Sequence, residues 1–149
     1  MSTRYDRVRK NPLTRSYRVD KLTLAALEAT LALYRDPARA LRAIPALAQL
    51  TAPVDELRRR ADGIVRGVGA AIDVCESEAS VGGGAFPTAR IPSVAIAVGG
   101  RASNLEARLR ANDPPIVGRV ADGRLLLDLR TVFASEDETI VSALRTNTQ

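Results

Sequence analysis

The spacing of apolar residues changes near Ala71 of this 149-residue chain, and that change restricts the possible folds. From Leu24 to Val68, apolar residues recur every three or four positions, which is the period of an amphipathic helix. From Ile72 onward, several segments place apolar residues at every second position, which is the period of a strand. Because helices come first and paired strands follow, the pattern predicts an α+β fold with leading helices.

Prolines and capping residues divide the helical part into three predicted helices. Asp20 is the predicted N-cap of the first, because an aspartate side chain accepts hydrogen bonds from the first free amides of a helix. Proline is well placed at a helix start but disrupts a helix interior. The helices are expected over residues 20–34, from Asp36-Pro37 past Leu47 with a bend or break at Pro45, and from Pro53 to Gly67 and Gly69.

Four strands and two helices are predicted after residue 70, in the order β-β-α-β-β-α. Asp122-Gly123 is a strong signal for a two-residue hairpin turn, and the sequences starting at Ser103 and Ser135 have the form of capping boxes. The result would be a small, mainly antiparallel sheet covered by helices on one side. The strands are expected at about 72–77, 94–98, 116–120 and 125–129, and the helices from Ser103 to about Ala111 and from Ser135 through Leu144.

Composition excludes several kinds of chemistry. The chain has no histidine and a single cysteine, Cys75, so it offers no Ser-His or Cys-His nucleophile, no disulfide framework and no ordinary zinc site. Cys75 is most simply a small buried apolar residue. No apolar run approaches the length of a membrane span, and no apolar segment follows the first basic residues, so we expect a soluble cytoplasmic domain without a membrane partner.

The positive charge of the chain is concentrated at its start. Residues 1–18 hold six basic side chains and one acidic one, whereas residues 19–149 hold sixteen of each. Such a segment attracts phosphate, whether of RNA, of a small ligand or of a membrane surface. The alternative is a solvated basic segment with no specific ligand.

Arg15 and Arg18 form a candidate anion site. Asn11-Pro12 resembles an N-cap followed by a first helical residue, and two arginines three positions apart share one face of a helical turn. Two guanidinium groups on one face can hold a single phosphate-like anion, although a pair of surface arginines would show the same spacing.

Two further segments are weaker candidates. Arg119 follows Gly118 close to Pro114-Pro115, where its side chain could point into a cleft or face water. The run Gly82-Gly83-Gly84 could present amides to an anion, but no Gly-Lys-Ser/Thr follows it, so a flexible turn is favoured over a nucleotide loop. No metal site is predicted.

Four segments, in this order, resemble segments of bacterial selenocysteine synthases, the L-seryl-tRNA(Sec) selenium transferases. They are residues 15–28 (RSYRVDKLTLAALE), 76–84 with ESE and VGGG, 113–119 (DPPIVGR) and 125–132 (LLLDLRTV). The resemblance extends over nearly all of residues 10–144.

The resemblance implies the C-terminal part of a pyridoxal-phosphate enzyme of the aspartate-aminotransferase fold type, fold type I. Residues 1–20 would be a basic lead left from the junction with the large domain, and residues 21–149 a helical connector and the small C-terminal α+β domain. The complete enzyme would convert seryl-tRNA(Sec) to selenocysteinyl-tRNA(Sec) with selenophosphate, as a homo-oligomer. Arg15 and Arg18 match the two arginines that hold the anionic selenium donor in the family.

The chain also departs from the family pattern. The segment that carries the Schiff-base lysine is absent, since Lys10 and Lys21 match other positions, so no catalytic residue is assigned. Ser16-Tyr17 replaces a small residue followed by leucine. We therefore expect this chain alone to be inactive and not to bind pyridoxal 5'-phosphate. The alternative function is a free-standing basic module that binds RNA or anions, for which the 3% aromatic content is low.

Overall fold

The structure, a computed structural model, describes residues 4–69, 72–81 and 89–148, and its backbone contacts divide the chain at Pro45. One unit is Met1–Ile44 and the other is Pro45–Gln149. The first unit is helical in its described part. The second holds the sheet and the core.

Capping carboxylates start two helices of the first unit. Asp20 accepts hydrogen bonds from the amides of Leu22 and Thr23 at 2.8 and 2.9 Å, and Asp36 accepts one from the Arg39 amide at 3.1 Å. Both predicted helix starts are confirmed. The helices of this unit are α1 (Arg4–Arg9), a 3-10 helix (Pro12–Tyr17), α2 (Lys21–Leu33) and α3 (Pro37–Ala43).

Helix α2 exposes its apolar side chains. Leu24, Leu27 and Leu31 remain 54%, 52% and 57% exposed, and no residue of α2 is buried. The stripe predicted from the spacing is thus a bare surface in this structure.

Two helices open the second unit, α4 (Pro45–Thr51) and α5 (Val54–Val68). The predicted break at Pro45 is confirmed. Helix α5 continues through Gly67, contrary to expectation, and only Gly69 ends it, with a left-handed φ of 70°. At Gly67 the helix passes close to Val141, where a Cβ would lie 3.2 Å from two methyl carbons.

The four strands form one antiparallel sheet in the order β1-β2-β4-β3. Asp122 and Gly123 both adopt positive φ values, 50° and 72°, which confirms the tight hairpin turn. The third strand is shorter than predicted, because the Ile116 amide donates to the Leu109 carbonyl at 2.9 Å rather than to the sheet. The strands are β1 (Ile72–Ala79), β2 (Ile91–Val98), β3 (Arg119–Ala121) and β4 (Arg124–Asp128).

The core lies between one face of this sheet and three helices: α5, α6 (Ala102–Arg110) and α7 (Asp137–Asn147). Strand residues at alternate positions supply the sheet side, as the period of two predicts. The helical cover on one side is confirmed. The fully buried large side chains are Leu57, Val94, Ile96, Leu109, Leu125, Leu129 and Leu144.

Neither predicted capping box forms at its serine. Helix α6 begins one residue before Ser103 without a side-chain cap, and Ala102 is buried in the core. Near Ser135, the Glu136 carboxylate accepts the Phe133 amide at 2.9 Å, and the Phe133 backbone carbonyl accepts the Glu136 amide at 2.9 Å, at a 3-10 helix that precedes α7.

Arg130 connects helix α4 to the sheet. Its side chain is only 5% exposed and donates to the carbonyls of Gln49, Leu50 and Ala52 at 2.9, 3.2 and 3.0 Å. It also donates to the Pro92 carbonyl on β2 at 2.6 Å. Through its two terminal nitrogens the buried guanidinium binds four carbonyls, which fixes the end of α4 against the edge of the core, while its Nε has no partner among the described residues.

Candidate functional site

Arg15 and Arg18 lie at the end of the 3-10 helix of the first unit. Asn11 caps that helix by accepting the Leu13 amide at 3.0 Å, and Pro12 is its first residue, as predicted. Arg15 is helical, but Arg18 is the residue after the helix and has extended backbone angles. The helix ends at Tyr17, between them, but its last hydrogen bond, from the Arg18 amide to the Arg15 carbonyl at 3.3 Å, still joins the two residues in one turn.

Both arginines have free donors. They are exposed, and neither guanidinium hydrogen-bonds or pairs with any residue that the structure describes. Asp20, the nearest carboxylate along the chain, binds two amides and the Thr23 hydroxyl, at 2.7 Å for the hydroxyl. These hydrogen bonds, that of the Thr23 amide first, lower the pKa of Asp20. This carboxylate is committed to the cap of α2.

The positive charge of the chain lies in the first unit. Met1–Ile44 contains ten basic and four acidic side chains, whereas Pro45–Gln149 contains twelve and thirteen. A cleft of about 390 Å³ in the first unit is lined by Arg4, Arg7, Val8 and Asn11. The surroundings of Arg15 and Arg18 along the chain therefore favour anions.

The two lysines do not fit the aldehyde of pyridoxal phosphate. Lys10 follows α1 and Lys21 is the first residue of α2, and both are exposed. A lysine that forms a Schiff base is activated by desolvation or by a neighbouring cation in a closed site. No step of cofactor chemistry is assigned to either residue.

A second group of polar side chains lies in the second unit, on the sheet face opposite the core. Asp128 accepts the hydroxyls of Ser77 and Ser93 at 2.7 and 2.6 Å and the Arg130 amide at 3.0 Å. Ser77 in turn accepts a hydrogen bond from Arg119 Nη2 at 2.9 Å. Four side chains from four strands are thus joined by hydrogen bonds.

Arg119 lines a cleft of about 590 Å³ beside this group. Two other arginines of the cleft are paired with carboxylates: Arg58 with Glu76 at 3.5 Å and Arg90 with Glu78 at 3.8 Å. Arg119 forms no ion pair with any described residue. The structure brings Arg119 together with Ser77.

Sequence reasoning did not identify Ser77, Ser93 or Asp128 as site residues. Ser77 and Asp128 are 51 positions apart, and only the register of β1 on β2 and of β2 on β4 brings them together. The available signal was indirect. Ser77, Arg119 and Asp128 each belong to a different one of the segments that resemble the selenium transferases.

The remaining candidates give no site. Gly82-Gly83-Gly84 lies outside the described residues. Cys75 is a half-buried free thiol on β1, and within 4–69, 72–81 and 89–148 no cluster of potential metal ligands occurs. In the same ranges, no helix combines the length and the apolar content needed to cross a membrane.

Comparisons with known proteins agree with the resemblance of the four segments. The sequence profile of the SelA family, described as L-seryl-tRNA selenium transferase, matches residues 3–133. The L-seryl-tRNA(Sec) selenium transferase of Geobacter sulfurreducens is 45% identical over 149 residues, which cover 94% of this chain and 32% of that protein. Those of Moorella thermoacetica and Nitratidesulfovibrio vulgaris are 43% and 42% identical, covering 90% and 94% of this chain and 30% and 32% of those proteins. The chain spans about a third of the length of the curated relatives it matches.

Proposed function

Because the chain belongs to the L-seryl-tRNA selenium transferase family, we propose that it is part of an enzyme that converts seryl-tRNA(Sec) to selenocysteinyl-tRNA(Sec) with selenophosphate. The family match over residues 3–133 carries this proposal, since it includes both units of the chain. The product would serve selenoprotein synthesis in the cytoplasm.

The proposal assigns the chain only a share of the complete enzyme. Residues 1–20 form the junction with a larger domain, and residues 21–149 form a connector and the small C-terminal domain. The larger domain supplies the lysine and the bound pyridoxal 5'-phosphate, which withdraws electrons and so makes the seryl α-proton removable. The complete enzyme is a homo-oligomer.

Within this enzyme, Arg15 and Arg18 bind the phosphate of the selenium donor. A guanidinium presents paired N–H donors that match two phosphate oxygens, and two such groups can hold one anion. Their exposure, their free donors and the basic surroundings support this role. The hydrogen bond from the Arg18 amide to the Arg15 carbonyl keeps the two residues in one turn, so their long side chains can converge on one anion.

The decisive experiment substitutes these arginines in the complete enzyme. Arg15→Ala or Arg18→Ala removes a charge-assisted hydrogen bond of roughly 1.5–3 kcal/mol, so selenium transfer at limiting donor should fall about ten- to hundredfold. Lysine should restore little, because it lacks the planar fork. The affinity for seryl-tRNA(Sec) should not change, since the donor phosphate is a separate ligand.

Arg59→Ala is the matched control, because Arg59 is an exposed arginine of α5 without a described partner. A double Arg15→Ala/Arg18→Ala enzyme that transfers selenium at the normal rate would show that the pair is ordinary surface.

The cofactor assignment has its own test. This chain, mixed with pyridoxal 5'-phosphate and reduced with borohydride, should be labelled stoichiometrically at neither Lys10 nor Lys21, because both amines are exposed and no closed site surrounds them. Mass spectrometry of the digested chain reads the result. Specific labelling of Lys21 together with an absorption band of a Schiff base would contradict the assignment.

The concentration of charge in Met1–Ile44 favours a second candidate, a basic module that binds RNA without catalysis. As part of an enzyme, the chain alone should bind RNA weakly, with strong salt dependence and without sequence preference. A filter-binding titration distinguishes the two. Tight and sequence-selective binding at physiological salt would favour the module.

A further inference from the structure

We infer that Arg119 binds the phosphate of a phosphate ester in the cleft beside β3. The hydrogen-bonded series Ser93, Asp128 and Ser77 holds the guanidinium of Arg119 in position for this ligand. The inference goes beyond the proposed function. It depends only on side chains of Pro45–Gln149, so the failure of one leaves the other intact.

The side chain of Arg119 reaches across the sheet. Arg119 lies on β3 and Ser77 on β1, the two outer strands, yet Nη2 of Arg119 and Oγ of Ser77 are 2.9 Å apart. Cys75, Ala95 and Asp128 are neighbours in register on the same face between them. The small side chain of Ala95, on the inner strand β2, is compatible with an arginine that spans both inner strands.

The hydrogen bonds between Ser77, Ser93 and Asp128 have defined donors and acceptors. The Ser77 hydroxyl donates to Asp128 at 2.7 Å, so its oxygen is turned to accept from Arg119. Ser93, 3% exposed, donates to the other Asp128 oxygen at 2.6 Å. A buried hydroxyl and a carboxylate with three donors are well fixed, so the position of the guanidinium is set before any ligand arrives.

Arg119 has N–H donors that remain free to bind a ligand. A guanidinium has about five N–H donors, and one described hydrogen bond uses Nη2, to a neutral oxygen. The carboxylates of Glu76 and Glu78 are taken by Arg58 and Arg90. Arg119 is thus the arginine of this cleft that lacks a carboxylate partner among the described residues, and an oxyanion would satisfy it.

Asp122 is the group that could bind the rest of the ligand. Asp122, in the hairpin turn, lines the same cleft and has no described partner. The cleft therefore offers one unpaired cation and one unpaired carboxylate. That pair complements a phosphate joined to a group that donates hydrogen bonds, such as a ribose. The phosphate ester could be a phosphodiester of single-stranded RNA or a small sugar phosphate, and the two sources give different results below.

The experiment uses the whole 149-residue chain, labelled with ¹⁵N, and follows the side-chain Nε–Hε signal of Arg119 by NMR. A site-specific signal is needed because the basic first unit also attracts phosphate. Ribose 5-phosphate and a short single-stranded RNA are added separately, with acetate as a simple anion for comparison. The signal of Arg119 should shift with saturation for at least one phosphate ester and not for acetate at equal concentration.

The variants are Arg119→Ala, Arg119→Lys and Ser77→Ala, with Arg59→Ala as the control. Arg119→Ala should weaken binding of the ester about tenfold or more, and Arg119→Lys should recover only part of the affinity. In these two variants, the shifts of neighbouring backbone amides report binding. Ser77→Ala keeps the Arg119 charge but removes its anchor, so it should weaken binding several-fold. Thermal melting of each variant confirms that it is folded.

The salt dependence of RNA binding distinguishes the two sources of the phosphate ester. If RNA is the ligand, Arg119→Ala lowers the slope of log K against log salt by about 0.7, the value for one phosphate contact of a single strand, whereas Arg59→Ala does not. If a small sugar phosphate is the ligand, ribose 5-phosphate binds at Arg119 and the RNA slope is unchanged. An Arg119 signal that responds to neither ester, or to acetate equally, overturns the inference.

Discussion

Gly118 lies where any side chain would meet strand β4. A Cβ at this position would be 2.7 Å from Leu125 Cδ1, 2.8 Å from Leu127 Cδ2 and 2.9 Å from the Leu126 carbonyl oxygen. The two leucines are buried and the carbonyl belongs to the backbone, so none of the three can move freely. Gly118→Ala should therefore lower the free energy of unfolding by about 1–3 kcal/mol, measured by urea denaturation.

Gly63→Ala provides the matched comparison, because Gly63 is in helix α5 and, apart from its chain neighbours and the nearby backbone of its own helix, no described atom lies within 4 Å of the added carbon. It should raise the free energy of unfolding by roughly 0.5–1 kcal/mol, since alanine favours a helix interior over glycine. Equal stabilities for Gly118→Ala and the unaltered chain would mean that β3 and β4 can separate without cost.

At the scale of single elements, the cap of α2 depends on the charge of Asp20. Its hydrogen bonds with Thr23 and Leu22 lower its pKa in the folded state, so the stabilisation is present above the unfolded pKa. It is lost as the pH falls through the lowered pKa. Amide exchange at Leu22 and Thr23 should thus accelerate in strong acid, relative to amides in the middle of α2.

Asp20→Asn is the control, because asparagine still accepts the two amides but does not titrate. In that variant, the acid-dependent change at Leu22 and Thr23 should be absent. A change of the same size in both proteins would assign it to another group.

The sequence predicted those elements that local chemistry decides. The turn at Asp122-Gly123 depends on two backbone conformations that these residues favour, and the start of α2 depends on one side chain. The start of α6 was displaced because Ala102 is buried in the core, and tertiary packing overrides a local cap. The 3-10 helix ended before Arg18, at a boundary that spacing alone does not define.

The two candidate sites also differ in how far the sequence predicts them. Arg15 and Arg18 were found because they are near in sequence, and their anion-binding role stays a prediction. The contacts around Arg119 could not be predicted, because they join residues 42 and 51 positions apart through the registers of four strands.

At the scale of the whole molecule, α2 has more exposed leucines than any other helix or strand that the structure describes. Its 13 residues include two charged side chains, and Leu22, Leu24, Leu27 and Leu31 are each more than half exposed. A contiguous set of apolar side chains on a helix is normally covered by another part of a protein. The chain alone should therefore self-associate through α2.

Leu27→Glu should weaken this association about tenfold or more, since burial of a leucine contributes roughly 1.5–3 kcal/mol. Val120→Glu, on the edge strand β3, introduces the same charge at an apolar residue of similar exposure, 46% against 52%, and should have little effect. Sedimentation equilibrium measures both. A chain that stays monomeric, or that associates equally after Leu27→Glu, would contradict the prediction.

The guanidinium of Arg130 also determines how α4 responds to mechanical load. The Gln49, Leu50 and Ala52 carbonyls and the Pro92 carbonyl all bind this one group. A helix held only by side-chain packing can be peeled away turn by turn under tension. Here the load on the end of α4 passes through a single group into strand β2, so these contacts resist together and are released together. Force applied to the end of α4 would thus reach the sheet as a rigid displacement rather than dissipate as bending of α4.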